Sequence, residues 1–182
     1  MVYFITGNEH KFLEAHEIVP ELERLDIDLP EIQDMDPHAI IKAKLLEGLR
    51  HHAGPLVVED TSLYFECLNG LPGPLIKWFL KAVGPAGLFQ IVSKMGNARA
   101  EARTLVGYAK SADDVLFFEG VVSGTIVAPR GTTTFGWDVV FQPEGLEKTF
   151  SEMSREEKNT MSMRKKAFEQ LRDFLIPHSS GL

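Results

Sequence analysis

Val2 to Ile5 is a short apolar strand that runs into Thr6-Gly7-Asn8 and at once into a helical pattern carrying Phe12, Leu13 and His16. A strand entering a helix through a tight Gly turn presents backbone N–H groups at the helix start, an arrangement suited to a phosphate. Gly7 lets the backbone approach a ligand with no Cβ in the way. Asn8 suits the N-cap of a helix over 9–19 that stops before Pro20. Lys11 sits in the first turn, where a cation opposes the helix dipole. A bound phosphate would reverse the sign of that effect, although a solvated lysine on an ordinary strand-to-helix connection has the same letters.

Strand and helix signals alternate through the first half: strand 2–6, helix 9–19, strand near 22–28, helix about 37–50 and strand 55–59. Leu63 to Leu68 is a further strand candidate, followed by the corner Gly70-Leu71-Pro72-Gly73-Pro74. Helices about 74–82 and 85–95 come next, the second opening on Pro85 at a favoured first-turn position. Ala102 to Tyr108 and Val115 to Val127 are long β-rich segments, in which Gly120 and Gly124 suggest bulges or bends. One helix about 155–175 closes the chain, and 176–182 reads as a loose tail. No repeat or linker divides the sequence, so 1–182 is expected to be one mixed α/β domain. Its second half is too rich in hairpins for a pure doubly wound sheet.

The formal net charge of −7 argues against a general nucleic-acid binder, which is more often basic. A small phosphorylated ligand stays compatible with it, because a few local lysines and a metal can hold one. The single cysteine, Cys67, leaves no internal disulfide framework and fits a reducing compartment. No secretory signal pattern and no apolar run of membrane-spanning length is visible. The expectation is a cytoplasmic protein without membrane or nucleic-acid partners.

Four further patterns carry candidate chemistry. Leu56-Val57-Val58 ends in Glu59-Asp60-Thr61, so two acids and a hydroxyl stand at the carboxyl end of a strand, where α/β proteins place ligands. Such acids can hold Mg²⁺ or act as a base, and the same letters also make a polar turn. Leu29-Pro30-Glu31 offers another loop carboxylate. Phe135-Gly136-Trp137-Asp138 could form a flat slot for a planar base with Asp138 accepting from a ring N–H, or an aromatic pair packed in the core. In the last helix Met161, Phe168, Leu171 and Leu175 form an apolar stripe that includes Arg164, with Lys158 three residues before it. A core-facing arginine must snorkel or find a partner, and an anionic or carbonyl-bearing ligand is one candidate.

Taken in order, these motifs with Lys77-Trp78-Phe79, Ala128-Pro129-Arg130-Gly131, Phe141-Gln142-Pro143 and Glu157-Lys158-Asn159 resemble the inosine triphosphate pyrophosphatase family across residues 2 to 175. The resemblance implies an elongated mixed sheet with flanking helices, two lobes and a central cleft, in a homodimer. It implies hydrolysis of non-standard purine nucleoside triphosphates (ITP, dITP, XTP) to the monophosphate and pyrophosphate, which cleanses the nucleotide pool. Carried over by position, Thr6, Gly7, Asn8, Glu9, His10 and Lys11 would hold the triphosphate. Glu31 and Asp60 would hold Mg²⁺ or Mn²⁺, with Asp60 also the water-activating base and Glu59 the alternative. Thr61, Lys77 and a helix lysine would contact phosphate or sugar; ungapped counting from Asp60 selects Lys44, whereas the pattern Ala39-Ile40-Ile41-Lys42-Ala43 selects Lys42. Phe135, Gly136, Trp137 and Asp138, with Lys158 and Arg164, would frame the purine.

The chain departs from the family pattern at Ser162-Met163-Arg164, where the family carries Ser-His-Arg, and at Val139, where it carries proline. Met163 can pack against a ring but cannot bond it as imidazole does. Met163 keeps open a pyrophosphatase with altered base preference, and a nucleotide-binding sensor without turnover is the rival reading from another class.

Overall fold

The computed structural model describes residues 1–132 and 136–176. A seven-stranded mixed sheet runs in the order β2-β1-β3-β5-β6-β7, with β4 paired to β3. Its strands are β1 (Val2–Ile5), β2 (Leu22–Leu25), β3 (Leu56–Phe65), β4 (Pro72–Gly73), β5 (Arg99–Ser111), β6 (Asp114–Ile126) and β7 (Phe141–Pro143). The helices are α1 (Glu9–Ile18), α2 (Pro37–His51), α3 (Ile76–Met95), α4 (Arg155–Met161) and α5 (Met163–Leu175). None of them is long and apolar enough to cross a membrane, among the described residues.

β1 pairs in parallel with both β2 and β3, whereas β3, β5, β6 and β7 run antiparallel. The chain thus leaves β1 toward one side of the sheet and returns to its other side. α1 packs with α5 on one face around Phe4, Val57 and Phe168, and α2 packs on the opposite face around Val58, Ile41 and Leu45. That reversal makes β1 and β3 a switch point, outside whose carboxyl ends ligands bind. A third cluster around Phe65, Leu88, Val122, Phe141 and Phe150 forms the second lobe, which β3, β5 and β6 reach by their length.

Several local expectations change. The strands expected at 55–59 and 63–68 are one strand, β3. The strand expected over 22–28 stops at Leu25. Gly84, at φ 65°, breaks α3 just before Pro85, where two helices were expected. Gly120 and Gly124 hold regular register, and the irregularity of the β5–β6 pair lies between Ala109 and Ser111 instead. Gly120 is needed for a close approach: a Cβ there would lie 1.8 Å from the Met163 carbonyl oxygen. The last helix is two, because Ser162 is extended (φ −61°, ψ 150°), ends α4 and caps α5 through Lys165 N–H.

Candidate active site

β3 loses its β1 neighbour after Phe4↔Val57 and gains β4 only at Leu63↔Gly73. Between these points one edge of β3 opens into a cleft of about 690 Å³. Because the sheet is interrupted there, side chains from both faces of β3 reach one cavity. Strand alternation then separates the two neighbouring acids. Glu59 faces α1 and α5, and Asp60 faces α2.

Glu59 is buried and accepts from Arg164 Nε at 2.8 Å and Nη2 at 3.2 Å, and from Lys11 Nζ at 2.7 Å. Burial alone would raise its carboxyl, but the Arg164 guanidinium and the Lys11 ammonium hold it down at about 2. A carboxylate so fully engaged is a poor proton acceptor, which argues against the alternative that made Glu59 the base. Asp60 is in the opposite state: burial pushes its carboxyl up, Lys44 and Lys11 oppose this, and Glu31 adds to it.

Lys44 Nζ lies 2.5 Å from Glu31 Oε1 and 3.3 Å from Asp60 Oδ1. Lys77, at the start of α3, approaches Glu31 Oε2 at 3.5 Å. Burial works against ionising Glu31, yet Lys44 and Lys77 keep its carboxyl below the usual range. Of the two candidate helix lysines the structure brings Lys44 to the cleft; Lys42 is exposed and stands outside the cleft wall. The one-turn pattern at 39–43 could not choose, since only the docked face of α2 decides.

At the other wall, Thr6, Gly7, Asn8 and Lys11 line the cleft. Asn8 caps α1 by accepting from Lys11 N–H at 3.2 Å, and Asn8 N–H donates to Thr6 Oγ1 at 3.1 Å. A Cβ on Gly7 would meet nothing closer than 3.8 Å, so packing within the protein does not demand glycine there. The side chains of Glu9 and His10 are exposed and stand outside the wall. Thr61 lines the cleft and shares a hydrogen bond of 3.3 Å with Thr104 Oγ1.

The far end differs most from the sequence expectation. Trp137 is buried against Phe141 and Phe150, with centroids 5.4 and 6.3 Å away, so its ring is core and only borders the cleft. Gly136 lines the cleft beside it, and Phe135 lies outside the described residues. Asp138 is buried and bonded to Lys158 Nζ at 2.5 Å; burial raises its carboxyl and the lysine opposes this. Met163 borders the cleft and packs into the second-lobe core. Arg164 already has protein partners, Glu59 and Glu14 Oε2, the latter through Nη1. The argument that its buried charge requires a ligand therefore falls. Three of its N–H donors are engaged in these bonds, which leaves two on Nη1 and Nη2. Glu14 went unread in the sequence because it sits one turn beyond Lys11 with no motif of its own.

A helix start and three lysines, facing two convergent carboxylates at a switch point, give this α/β protein a cleft with a cation-rich wall. The chain belongs to the Ham1 family, which it matches over residues 2–174. It is 42% identical over 182 residues to the inosine triphosphate pyrophosphatase of Schizosaccharomyces pombe, covering 96% of this chain and 94% of that one. The Ham1 protein structures from Coxiella burnetii and Staphylococcus aureus, at 24% and 23% identity, superpose with TM-scores of 0.82 and 0.81. Each alignment covers 96% of this chain, and 97% and 98% respectively of those structures. They share its mixed sheet.

Proposed function

We propose that this chain hydrolyses ITP, dITP and XTP to the monophosphate and pyrophosphate. The observation that carries the reading is the gap beside β3, where Thr6, Gly7, Asn8, Lys11, Glu31, Lys44 and Asp60 meet in one cavity. The 42% identity to a curated inosine triphosphate pyrophosphatase supports it.

Glu31 and Asp60 already converge on one cation, the Lys44 ammonium, and both offer hard oxygen donors. They therefore fit Mg²⁺ or Mn²⁺, which takes one or two carboxylates with substrate phosphates and supplies positive charge against them. The chain's own groups do the rest. Lys11, Lys44, Lys77 and the start of α1 bind the phosphates and neutralise charge that spreads in the transition state. Asp60, whose carboxylate is not locked by an arginine as that of Glu59 is, orients the attacking water and accepts its proton. The two remaining Arg164 N–H groups favour a C6 carbonyl over the C6 amine of adenine.

The reading includes a cytoplasmic homodimer acting on free nucleotides rather than on nucleic acid or membranes, and the net charge of −7 supports the first of these exclusions. Sedimentation equilibrium tests the dimer. Pyrophosphate release from ITP, XTP, dITP, GTP and ATP, with and without Mg²⁺, tests the reaction. Metal-dependent release that favours ITP and XTP is expected. Binding of ITP without release would instead identify a nucleotide sensor, and equal rates with ATP would remove the base selectivity.

A further inference from the structure

Arg24 lies on β2 opposite Phe4 of β1 and outside every motif considered above. Its Nε donates to the Thr6 carbonyl at 3.1 Å, and its Nη2 donates to the Gly7 carbonyl at 3.2 Å and to Asp26 Oδ2 at 3.2 Å. Two consecutive carbonyls of the loop are thus held by one side chain.

That clasp has a geometric consequence. A peptide unit is planar and trans, so its C=O and N–H point in opposite directions. Fixing the Thr6 carbonyl toward β2 turns the Gly7 N–H toward the open edge of β3. Fixing the Gly7 carbonyl turns the Asn8 N–H the same way, where it meets Thr6 Oγ1. The Gly7 N–H has no hydrogen-bond partner among the described residues. In a chain that simply continued as a strand, the Gly7 carbonyl would point toward β3 with its own N–H, and would set an oxygen against an incoming phosphate. Arg24 also neutralises Asp26, whose Oδ1 would lie 3.8 Å from a Cβ on Gly7. Asp26 is 70% exposed, so solvent screens it and the carbonyl clasp is the larger effect.

We infer that Arg24 is a positioning residue that aims the Gly7 N–H at the substrate's phosphates by holding the Thr6 and Gly7 carbonyls away from the cleft. The inference rests on the reading of the cleft as a triphosphate site. Arg24→Met keeps the apolar stem and deletes every donor. Arg24→Lys keeps the charge beside Asp26, but a single ammonium cannot reproduce the fork that spans two carbonyls.

Steady-state kinetics with ITP and ATP, and inhibition by inorganic pyrophosphate, decide it. Arg24→Met should raise the KM for ITP and the Ki for pyrophosphate roughly tenfold, because misplaced binding groups lose positioning. The ITP-to-ATP ratio of kcat/KM should stay unchanged, and Arg24→Lys should fall between wild type and Arg24→Met. A purely structural role would lower Tm and the amount of active enzyme, and would leave KM and the pyrophosphate Ki alone. Values within about twofold of wild type for both constants in Arg24→Met would overturn the inference. If Arg24→Met does not fold, wild-type constants in Arg24→Lys overturn it equally. A wild type that releases no pyrophosphate fails the proposed reaction instead, and calorimetric binding of pyrophosphate to wild type and Arg24→Met then judges Arg24 by itself. Equal binding there counts against it, and binding weakened in the variant counts for it.

Discussion

Replacing Arg164 by Met deletes the guanidinium between Glu59 and Glu14 while keeping a stem of similar length in the same buried position. Glu59 keeps Lys11, yet its buried carboxylate loses two bonds from Arg164. Breaking a buried pair from one side costs about 3–5 kcal/mol. Against the opposing effect of burial, Arg164 is also the larger of the two cations that hold the Glu59 carboxyl down at about 2, with Lys11 second. For a chain of this size a loss of that order lowers Tm by roughly 6–20 °C. The sign of the pH dependence follows. A carboxyl depressed on folding contributes stability that is full above its unfolded value of 4.5 and is lost as pH falls toward 2. The variant lacks the Arg164 share of that contribution at neutral pH, so the gap between wild type and variant narrows in acid. Urea unfolding followed by circular dichroism at pH 7, 5 and 3.5 measures it. The gap should shrink by about 1 kcal/mol between pH 5 and pH 3.5. A loss below about 1 kcal/mol at pH 7, the size of a surface ion pair, would refute the buried network. A gap that stays constant into acid would refute the assignment to Glu59.

Asp60→Asn removes the acid on the α2 face without changing its shape, so turnover should nearly vanish while Tm holds; wild-type pyrophosphate release from it would contradict the role given to Asp60. Lys44→Ala should weaken ITP hydrolysis by about 1.5–3 kcal/mol in kcat/KM, the worth of a charge-assisted bond, and Lys42→Ala should leave it alone; the reverse pattern would mean that α2 docks in another rotation. Gly120→Ala drives a methyl into the Met163 backbone, 1.8 Å from its carbonyl oxygen, so overpacking should cost about 3 kcal/mol and α5 should shift with Arg164; an unchanged Tm would show that α5 sits farther from β6. Lys11→Ala should weaken triphosphate binding more than monophosphate binding, by competitive inhibition with IMP and inorganic pyrophosphate, and equal weakening would remove Lys11 from the phosphate end.

The local code of the chain was readable because it depends on neighbours a few residues apart. Thr6-Gly7-Asn8 set a turn and a cap, Gly84-Pro85 set a break inside α3, and the alternating first half followed by hairpin-rich segments set a mixed α/β domain. The acids of β3 and the order of the motifs were visible for the same reason, and with them the family. What the letters left open was settled by groups brought together from far along the chain. Arg164 meets Glu59 across 105 residues, so its burial looked like a need for a ligand until that partner was in place. Ser162 interrupts a helix whose apolar spacing reads as continuous, because the capping bond to Lys165 N–H and the tight seat of Met163 on Gly120 outweigh one more turn of helix. Lys44 rather than Lys42 enters the cleft, Trp137 joins Phe141 and Phe150, and Arg24 reaches the Thr6–Gly7 loop from the next strand. Each of these outcomes depends on helix rotation and strand register, which long-range packing sets and spacing along the chain does not encode.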